Sequence, residues 1–134
     1  MINILNLRLE KITTTDIRLI NKYELNGEKL KLNLSRRCVK STEFDNGYVC
    51  DCCAELFLID EEELPWDNRL FYIKVALTGS FICNEPSEEI TDDRLRTAAM
   101  VQLLPHLRAC FANTMTNAGL TPYIIPNSII PELA

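Results

Sequence analysis

The sequence predicts an α+β domain in which a four-stranded antiparallel sheet is followed by one long helix and a short C-terminal apolar segment. Apolar and polar residues alternate over several short runs, which is the period of a strand with one buried face. Turn-forming residues separate the runs and no helical pattern lies between them, so the strands should run antiparallel through hairpin-like turns. We therefore expect a single domain over residues 1–134.

The first two predicted strands are the most regular. Leucines alternate with polar residues over residues 5–9, the pattern breaks at the Thr-rich step of residues 13–16, and it resumes at Ile17, as a β-bulge or bend would require. Asn26-Gly27 is a turn signal, and leucines alternate again over residues 30–34.

The next two predicted strands are apolar on both faces. Residues 48–59 follow a turn, and residues 69–83 follow an acidic loop; Gly79 lies inside the second run, where a bulge or bend would place it. A single helix can cover only one face of a sheet. We therefore expect a second subunit, the C-terminal segment or a bound client to cover the other face.

A long helix is predicted after the last strand. Thr91 is an N-cap residue, Gly119 fits the end of the helix, and Pro105 should kink it. Apolar residues recur at spacings of three and four, which marks one buried stripe. The stripe contains Leu95, Ala99, Leu103, Leu107, Cys110, Phe111, Met115 and Ala118.

Composition excludes two broad classes of partner. The net charge of −5 and the pI near 4.9 argue against nucleic-acid binding and against anionic membranes, both of which require a basic surface. The local basic cluster of Arg36, Arg37 and Lys40 is typical of a solvated strand end. The chain opens on no signal peptide, and its apolar runs are short of the ~20 residues that span a membrane. We expect a cytoplasmic protein whose six cysteines are thiols.

Three constellations could carry chemistry. Residues 50–53, "CDCC", would need Cys38 and Cys83 to complete a tetrahedral metal site, and small buried hydrophobes are the simpler interpretation. His106 and Cys110 are four apart on the helix and could form a nucleophile–base pair, but no third orienting group is evident. The acidic run of residues 60–63 fits a solvated loop better than a cation site. We predict a binding protein with no metal, no cofactor and no catalytic residues.

The chain resembles SecB, the tetrameric export chaperone family, over nearly its whole length. "VALTGSF" resembles the end of the family's fourth strand, and "LLPHLRACFANTMTNAGLTPYIIP" resembles its long helix and the segment that follows. "RLEKITTTDIRLI" and "LKLNLS" resemble the first and second strands. The matched pattern around the helix consists of Pro105, Arg108, Gly119, Pro122 and Pro126.

The resemblance implies a chaperone that binds unfolded or export-destined polypeptides in an apolar groove without ATP, and that assembles as a homodimer or homotetramer. The implied client-binding residues are Leu7, Leu9, Leu30, Leu32, Leu34, Pro126, Ile129 and Leu133. The family's helices line the dimer–dimer interface, which here implies the interface residues Leu95, Ala99, Leu103, Leu107 and Phe111.

Two departures from the family pattern concern docking to the SecA motor protein. The second C-terminal helix is reduced to "NSIIPELA", and the tail that contacts the SecA motor is missing. Of the acidic positions used for docking to the motor, Asp16 is kept, whereas Ile20 and Lys74 replace the others. We therefore do not expect docking to a SecA-type motor. The alternative is a dedicated protein-partner adaptor, or a chaperone that guards the antitoxin of a toxin–antitoxin pair; an enzyme using Cys110 and His106 is the third hypothesis.

Overall fold

A computed structural model describes residues 4–126 of the chain. Four strands come first: β1 (Leu7–Asn21), β2 (Leu30–Lys40), β3 (Gly47–Leu58) and β4 (Phe71–Cys83). Helix α1 (Asp92–Asn117) follows, and short 3₁₀ turns occupy Ile59–Glu61, Trp66–Asn68 and Ser87–Glu89. The architecture confirms the predicted α+β class, a four-stranded antiparallel sheet followed by one long helix. Within residues 4–126, no helix is both long enough and apolar enough to cross a lipid bilayer.

The strand order in the sheet is β1-β4-β3-β2, with every neighbouring pair antiparallel. Consecutive strands are therefore neighbours from β2 to β4, whereas β1 pairs with β4, which is a Greek-key arrangement. The prediction that hairpin-like turns join all four strands is wrong at the first connection. Residues 22–29 instead run from one edge of the sheet to the other, and Gly27, with φ of +80°, makes a local bend within that connection.

Two register shifts interrupt β1, and one of them lies at the predicted bulge. They fall between Leu9 and Lys11 and between Thr14 and Asp16, the second within the Thr-rich step. The predicted bulge at Gly79 is wrong, because its pairing with both neighbouring strands is regular. A Cβ atom on Gly79 would lie 2.8 Å from a methyl carbon of Leu103, so this glycine allows the helix to pack closely on the sheet.

Both ends of α1 are capped as the sequence predicts. The Thr91 hydroxyl accepts a hydrogen bond from the Arg94 N–H at 3.2 Å. At the other end Gly119 has φ of +79°, and the N–H of Leu120 bonds back to the last helical turn, which is the Schellman arrangement. Pro105 lies on the exposed side, and the helix continues through it.

The core lies between α1 and one face of the sheet, which we call the helix face. On β4 it carries Phe71, Ile73, Val75 and Leu77. The five helix residues predicted for a subunit interface belong to this core and are at most 4% exposed: Leu95, Ala99, Leu103, Leu107 and Phe111. That assignment requires correction, because the apolar stripe of the helix is covered by the chain's own sheet. A helix-mediated interface would have to use the outer side of α1.

The opposite face, which we call the open face, carries both polar and apolar side chains. On β4 it carries Tyr72, Lys74, Ala76 and Thr78, whose alternation with the helix face follows from the register. Among its apolar side chains, Phe57 and Tyr72, each 2% exposed, lie beneath residues 59–70. Val39, Val49 and Ile82 lie on the same face towards its other end. The protein's own loop therefore covers one end of this face, whereas Val39, Val49 and Ile82 at the other end are half-buried or exposed. The expectation that another chain covers the face is thus replaced at the first end and stays a prediction at the second.

Candidate polypeptide-binding surface

Strands β1 and β2 are the two edges of the sheet, and each has one side without a neighbouring strand in the described chain. In an antiparallel ladder, directly opposed residues alternate between hydrogen-bonded and non-hydrogen-bonded pairs. Residues in the second kind of pair direct their N–H and C=O groups away from the partner strand. At an edge, those groups can pair with another extended chain.

On the first half of β2 the outward-directed backbone groups belong to residues with apolar side chains. Hydrogen bonds join Ser41 to Gly47 and Lys29 to Ile59, one at each end of the β2–β3 pair, and the register between them is unbroken. The even-numbered residues of β2 are therefore the non-hydrogen-bonded ones. Three of the predicted client-binding residues are among them, half-buried and packed against the edge of the core: Leu30, Leu32 and Leu34.

On β1 the corresponding residues are Ile17 and Leu19, which were not among the predicted binding residues. Their side chains are 50% and 41% exposed. The Lys22 N–H donates a hydrogen bond to the Leu70 carbonyl at 2.8 Å, so Lys22 and Leu70 form a hydrogen-bonded pair. Because hydrogen-bonded and non-hydrogen-bonded pairs alternate along the register, Ile17, Leu19 and Asn21 direct their backbone N–H and C=O groups away from β4. The sequence signal that could have identified them is the alternation of apolar and polar residues, which resumes at Ile17 after the bulge.

A groove runs between β1 and the C-terminal half of α1, and we call it the β1 groove. One part, of about 410 Å³, has Ile12 and Ile17 on its strand side and His106, Cys110 and Asn113 on its helix side. A second cleft, of about 710 Å³, lies further along the same two elements, between residues 21–25 and residues 115–121. The strand wall is mainly apolar and the helix wall is largely polar. His106 and Cys110, which the sequence analysis considered as a nucleophile–base pair and set aside, both lie on that helix wall.

The remaining predicted client-binding residues divide into three groups. Leu7 is 6% exposed and belongs to the core, with its carbonyl accepting a hydrogen bond from Gln102 at 2.8 Å, so its assignment to a client surface requires correction. Leu9 is half-buried against the core, and Pro126 is exposed. Ile129 and Leu133 lie outside the described residues.

The segment after the helix folds back along α1. The backbone carbonyl of Ile125 accepts a hydrogen bond from Arg108 at 2.5 Å, and the Ile125 side chain is fully buried in the core. The neighbouring Ile124 is 69% exposed. This part of the apolar C-terminal segment therefore contributes one side chain to the protein's own core and presents the next one to solvent.

Charges on the open face neutralise one another. Asp16 Oδ2 lies 3.2 Å from Lys74 Nζ and 3.1 Å from Arg18 Nε. The hydrogen bond from Lys74, with the charge of Arg18 in addition, holds the pKa of Asp16 below its ordinary value. Burial and a hydrogen bond to Glu55 raise the pKa of the Tyr72 phenol. The Asp16 carboxylate, the acidic position that the resemblance to SecB singled out, thus forms its ion pairs within its own sheet.

The acidic loop has a structural role. Both carboxylate oxygens of Glu61 accept hydrogen bonds from the Leu70 N–H, at 3.0 and 2.9 Å, and one also accepts from Phe71 at 3.3 Å. Glu62 forms an ion pair with Lys31 at 2.5 Å. Within residues 4–126, no three His, Cys, Asp or Glu side chains gather in a way that could hold a metal ion.

Comparison with known proteins shows the fold. No protein-family model matches the chain, and no curated protein sequence does either. Among solved structures, the chain is similar to the Mycobacterium tuberculosis Rv1957 SecB-like chaperone in complex with a ChAD peptide from the Rv1956 HigA1 antitoxin. The TM-score is 0.63 at 12% sequence identity, covering 90% of this chain and 86% of that one. A protein of unknown function from Streptococcus agalactiae aligns at 11% identity and a TM-score of 0.48, covering 92% of this chain and 99% of that one. The chain therefore has a SecB-like fold.

Proposed function

We propose that this protein is a SecB-like, ATP-independent chaperone of the cytoplasm that binds unfolded or export-destined polypeptides along the edges of its sheet. The observation that carries the proposal is the edge of β1 beside the β1 groove: Ile17, which lines the groove, and Leu19, the next residue on the same face, are half-exposed and combine apolar side chains with outward-directed backbone groups. The SecB-like fold supports it, since the solved structure that shares the fold holds a peptide.

The chemistry of the groove suits many sequences rather than one. Backbone groups of an extended client can pair with the strand edge regardless of the client's side chains. Alternate client side chains can then pack against Ile17 and Leu19. The second edge offers the half-buried leucines of β2, so one long client can engage both edges, and avidity compensates for weak individual contacts. No cofactor is required for such binding.

A second candidate function is the guarding of one dedicated partner, such as an antitoxin. The structure of the Mycobacterium tuberculosis SecB-like chaperone contains an antitoxin peptide, which is the observation that favours this alternative. The same groove would then hold a single partner sequence with high affinity. The two functions differ in whether an unrelated unfolded protein is bound.

Self-association is part of the proposal, and docking to a SecA-type motor is not. Because the apolar stripe of α1 is covered by the sheet, a homodimer or homotetramer would use the outer side of the helix or a strand edge. The Asp16 carboxylate is ion-paired with Lys74 and Arg18, which offsets the negative charge that such a motor would read. Light scattering in solution should give the mass of two or four chains; the mass of one chain would contradict self-association.

Suppression of aggregation tests the proposed function. The parent protein, in excess over a chemically denatured and unrelated protein, should reduce light scattering during dilution from denaturant. Ile17→Asp places a charge in the groove and should abolish the effect. Thr13→Asp is the matched control, because Thr13 is exposed on the same strand but faces the open side, and it should retain the effect. Failure of the parent to suppress aggregation would contradict general client binding and favour the dedicated partner.

A further inference from the structure

Two cysteines face each other across the β2–β3 hairpin. The register pairs Cys38 directly with Cys50, and both side chains lie on the helix face. The hydrogen bonds of Ser41 with Gly47 and of Lys29 with Ile59 make this a non-hydrogen-bonded pair. The Cα atoms of such a pair are about 4.5 Å apart, within the range of about 4.4–6.8 Å that a disulfide bond requires.

The other described cysteines have no cysteine opposite them. Cys52 pairs with Arg36 and Leu77, Cys53 with Ser35 and Ala76, and Cys83 with Leu7. Burial raises the pKa of the Cys52 thiol to about 12 and raises that of Cys53 as well, so both stay protonated near neutral pH. Cys38 and Cys50 are both free cysteines, and the register places their side chains directly opposite each other.

The two thiols differ in their exposure to solvent and in the charged residues near them. Cys50 is 1% exposed, whereas Cys38 is half-buried, so solvent reaches Cys38 first. Arg36 and Lys40 lie two residues to either side of Cys38 and therefore share its face of the strand. Positive charge near a thiol favours the thiolate, which is the reactive form. Two residues of the basic cluster, Arg36 and Lys40, thus flank the accessible thiol, whereas Arg37 lies on the other face.

We propose that Cys38 and Cys50 form a redox-active dithiol that hydrogen peroxide converts into a cross-strand disulfide. The Cys38 thiolate attacks the peroxide oxygen, and the O–O bond breaks to give a sulfenic acid at Cys38, with hydroxide leaving as water once protonated. The Cys50 thiol then attacks the Cys38 sulfur, forming the S–S bond and releasing the sulfenic oxygen as a second water. Two thiols are oxidised and one peroxide is reduced to two waters; a small dithiol then reduces the disulfide by exchange and is itself oxidised.

The bond would secure the end of an edge strand. β2 is paired with β3 alone, and the disulfide would close a short loop across the hairpin turn, which constrains the unfolded chain. Oxidation should therefore raise the unfolding temperature by about 5–10 °C. This inference does not depend on client binding.

Peptide mapping of the full-length protein tests it. After stoichiometric hydrogen peroxide and alkylation, trypsin should release residues 38–40 linked to residues 41–69, with fragmentation assigning the bond to Cys50 and with dithiothreitol reversing it. Cys38→Ser should lose both the link and the thermal shift, whereas Cys53→Ser, a half-buried cysteine on the other face, should keep both. A bond from Cys38 to Cys52 or Cys53, a link between two chains, or oxidation of Cys38 without any link would overturn the proposal.

Discussion

The guanidinium carbon of Arg69 lies 4.6 Å from the ring centre of Phe57, on the open face of the sheet. The same group lies 5.1 Å from the ring of Tyr72, and Trp66 packs beside Tyr72 at 5.9 Å between ring centres. Arg18 completes the layer at 4.4 Å from the Trp66 ring. The loop of residues 59–70 therefore covers two large aromatic side chains, Phe57 and Tyr72, at one end of the open face.

Replacing Arg69 with Ala should lower the free energy of unfolding by about 2 kcal/mol. The side chain donates hydrogen bonds to the carbonyls of Glu62, at 3.0 Å, and Leu64, at 3.1 Å, in addition to its ring contacts. Urea denaturation measures the change. Arg8→Ala is the control, because Arg8 is 68% exposed and pairs only with Glu10 among the described contacts, and it should change stability by less than about 0.5 kcal/mol. Equal effects of the two substitutions would contradict a structural role for the loop.

Asp16 should make the protein less stable in acid. Its pKa is lowered in the folded state, so its contribution is fully present above the unfolded value of about 4 and is lost as the pH falls through the lower folded value. Asp16→Asn should therefore be less stable than the parent at neutral pH, and the difference should shrink below about pH 4. Thermal unfolding across pH measures this. If the difference in stability between the two proteins stayed constant as the pH fell below about 4, the ion pairs with Lys74 and Arg18 would contribute nothing.

Gly79→Ala should destabilise the protein by about 1–3 kcal/mol, because the added methyl group would lie 2.8 Å from side-chain carbons of both Leu103 and Phe81. Helix and strand must separate or the two side chains must change rotamer. Ser80→Ala, the next residue on the open face, should have little effect. Unfolding of both variants in urea distinguishes them, and a neutral Gly79→Ala variant would show that the helix–sheet contact can adjust without cost.

The sequence predicts the strands and the helix well, but it predicts less well which of them lie next to each other. Alternation and capping residues are local signals, so the strands, the N-cap Thr91 and the C-terminal Gly119 are recovered. The pairing of β1 with β4 is a long-range contact that no local pattern encodes. Gly79 shows the same limit, since its neighbour Leu103 lies on a distant element.

The candidate site was only partly predictable for a related reason. Alternation identifies which residues share a face of a strand, but not how far the helix covers that face. Leu7 and Ile17 have the same pattern in sequence, yet Leu7 lies under α1 and Ile17 lies at its margin. The apolar stripe of the helix is ambiguous in the same way, because a stripe that packs on the chain's own sheet and one that packs on a partner look alike.

Amide hydrogen exchange along β1 is the most direct test of client binding. When an unfolded, unrelated polypeptide is added, the amides of Ile17, Leu19 and Asn21 should exchange more slowly, because their N–H groups are the ones directed away from β4 and would pair with the client. Amides of the open-face residues, whose N–H groups already pair within the sheet, should not change. Unchanged exchange at Ile17 and Leu19 while the polypeptide is bound would contradict the β1 groove as the client site.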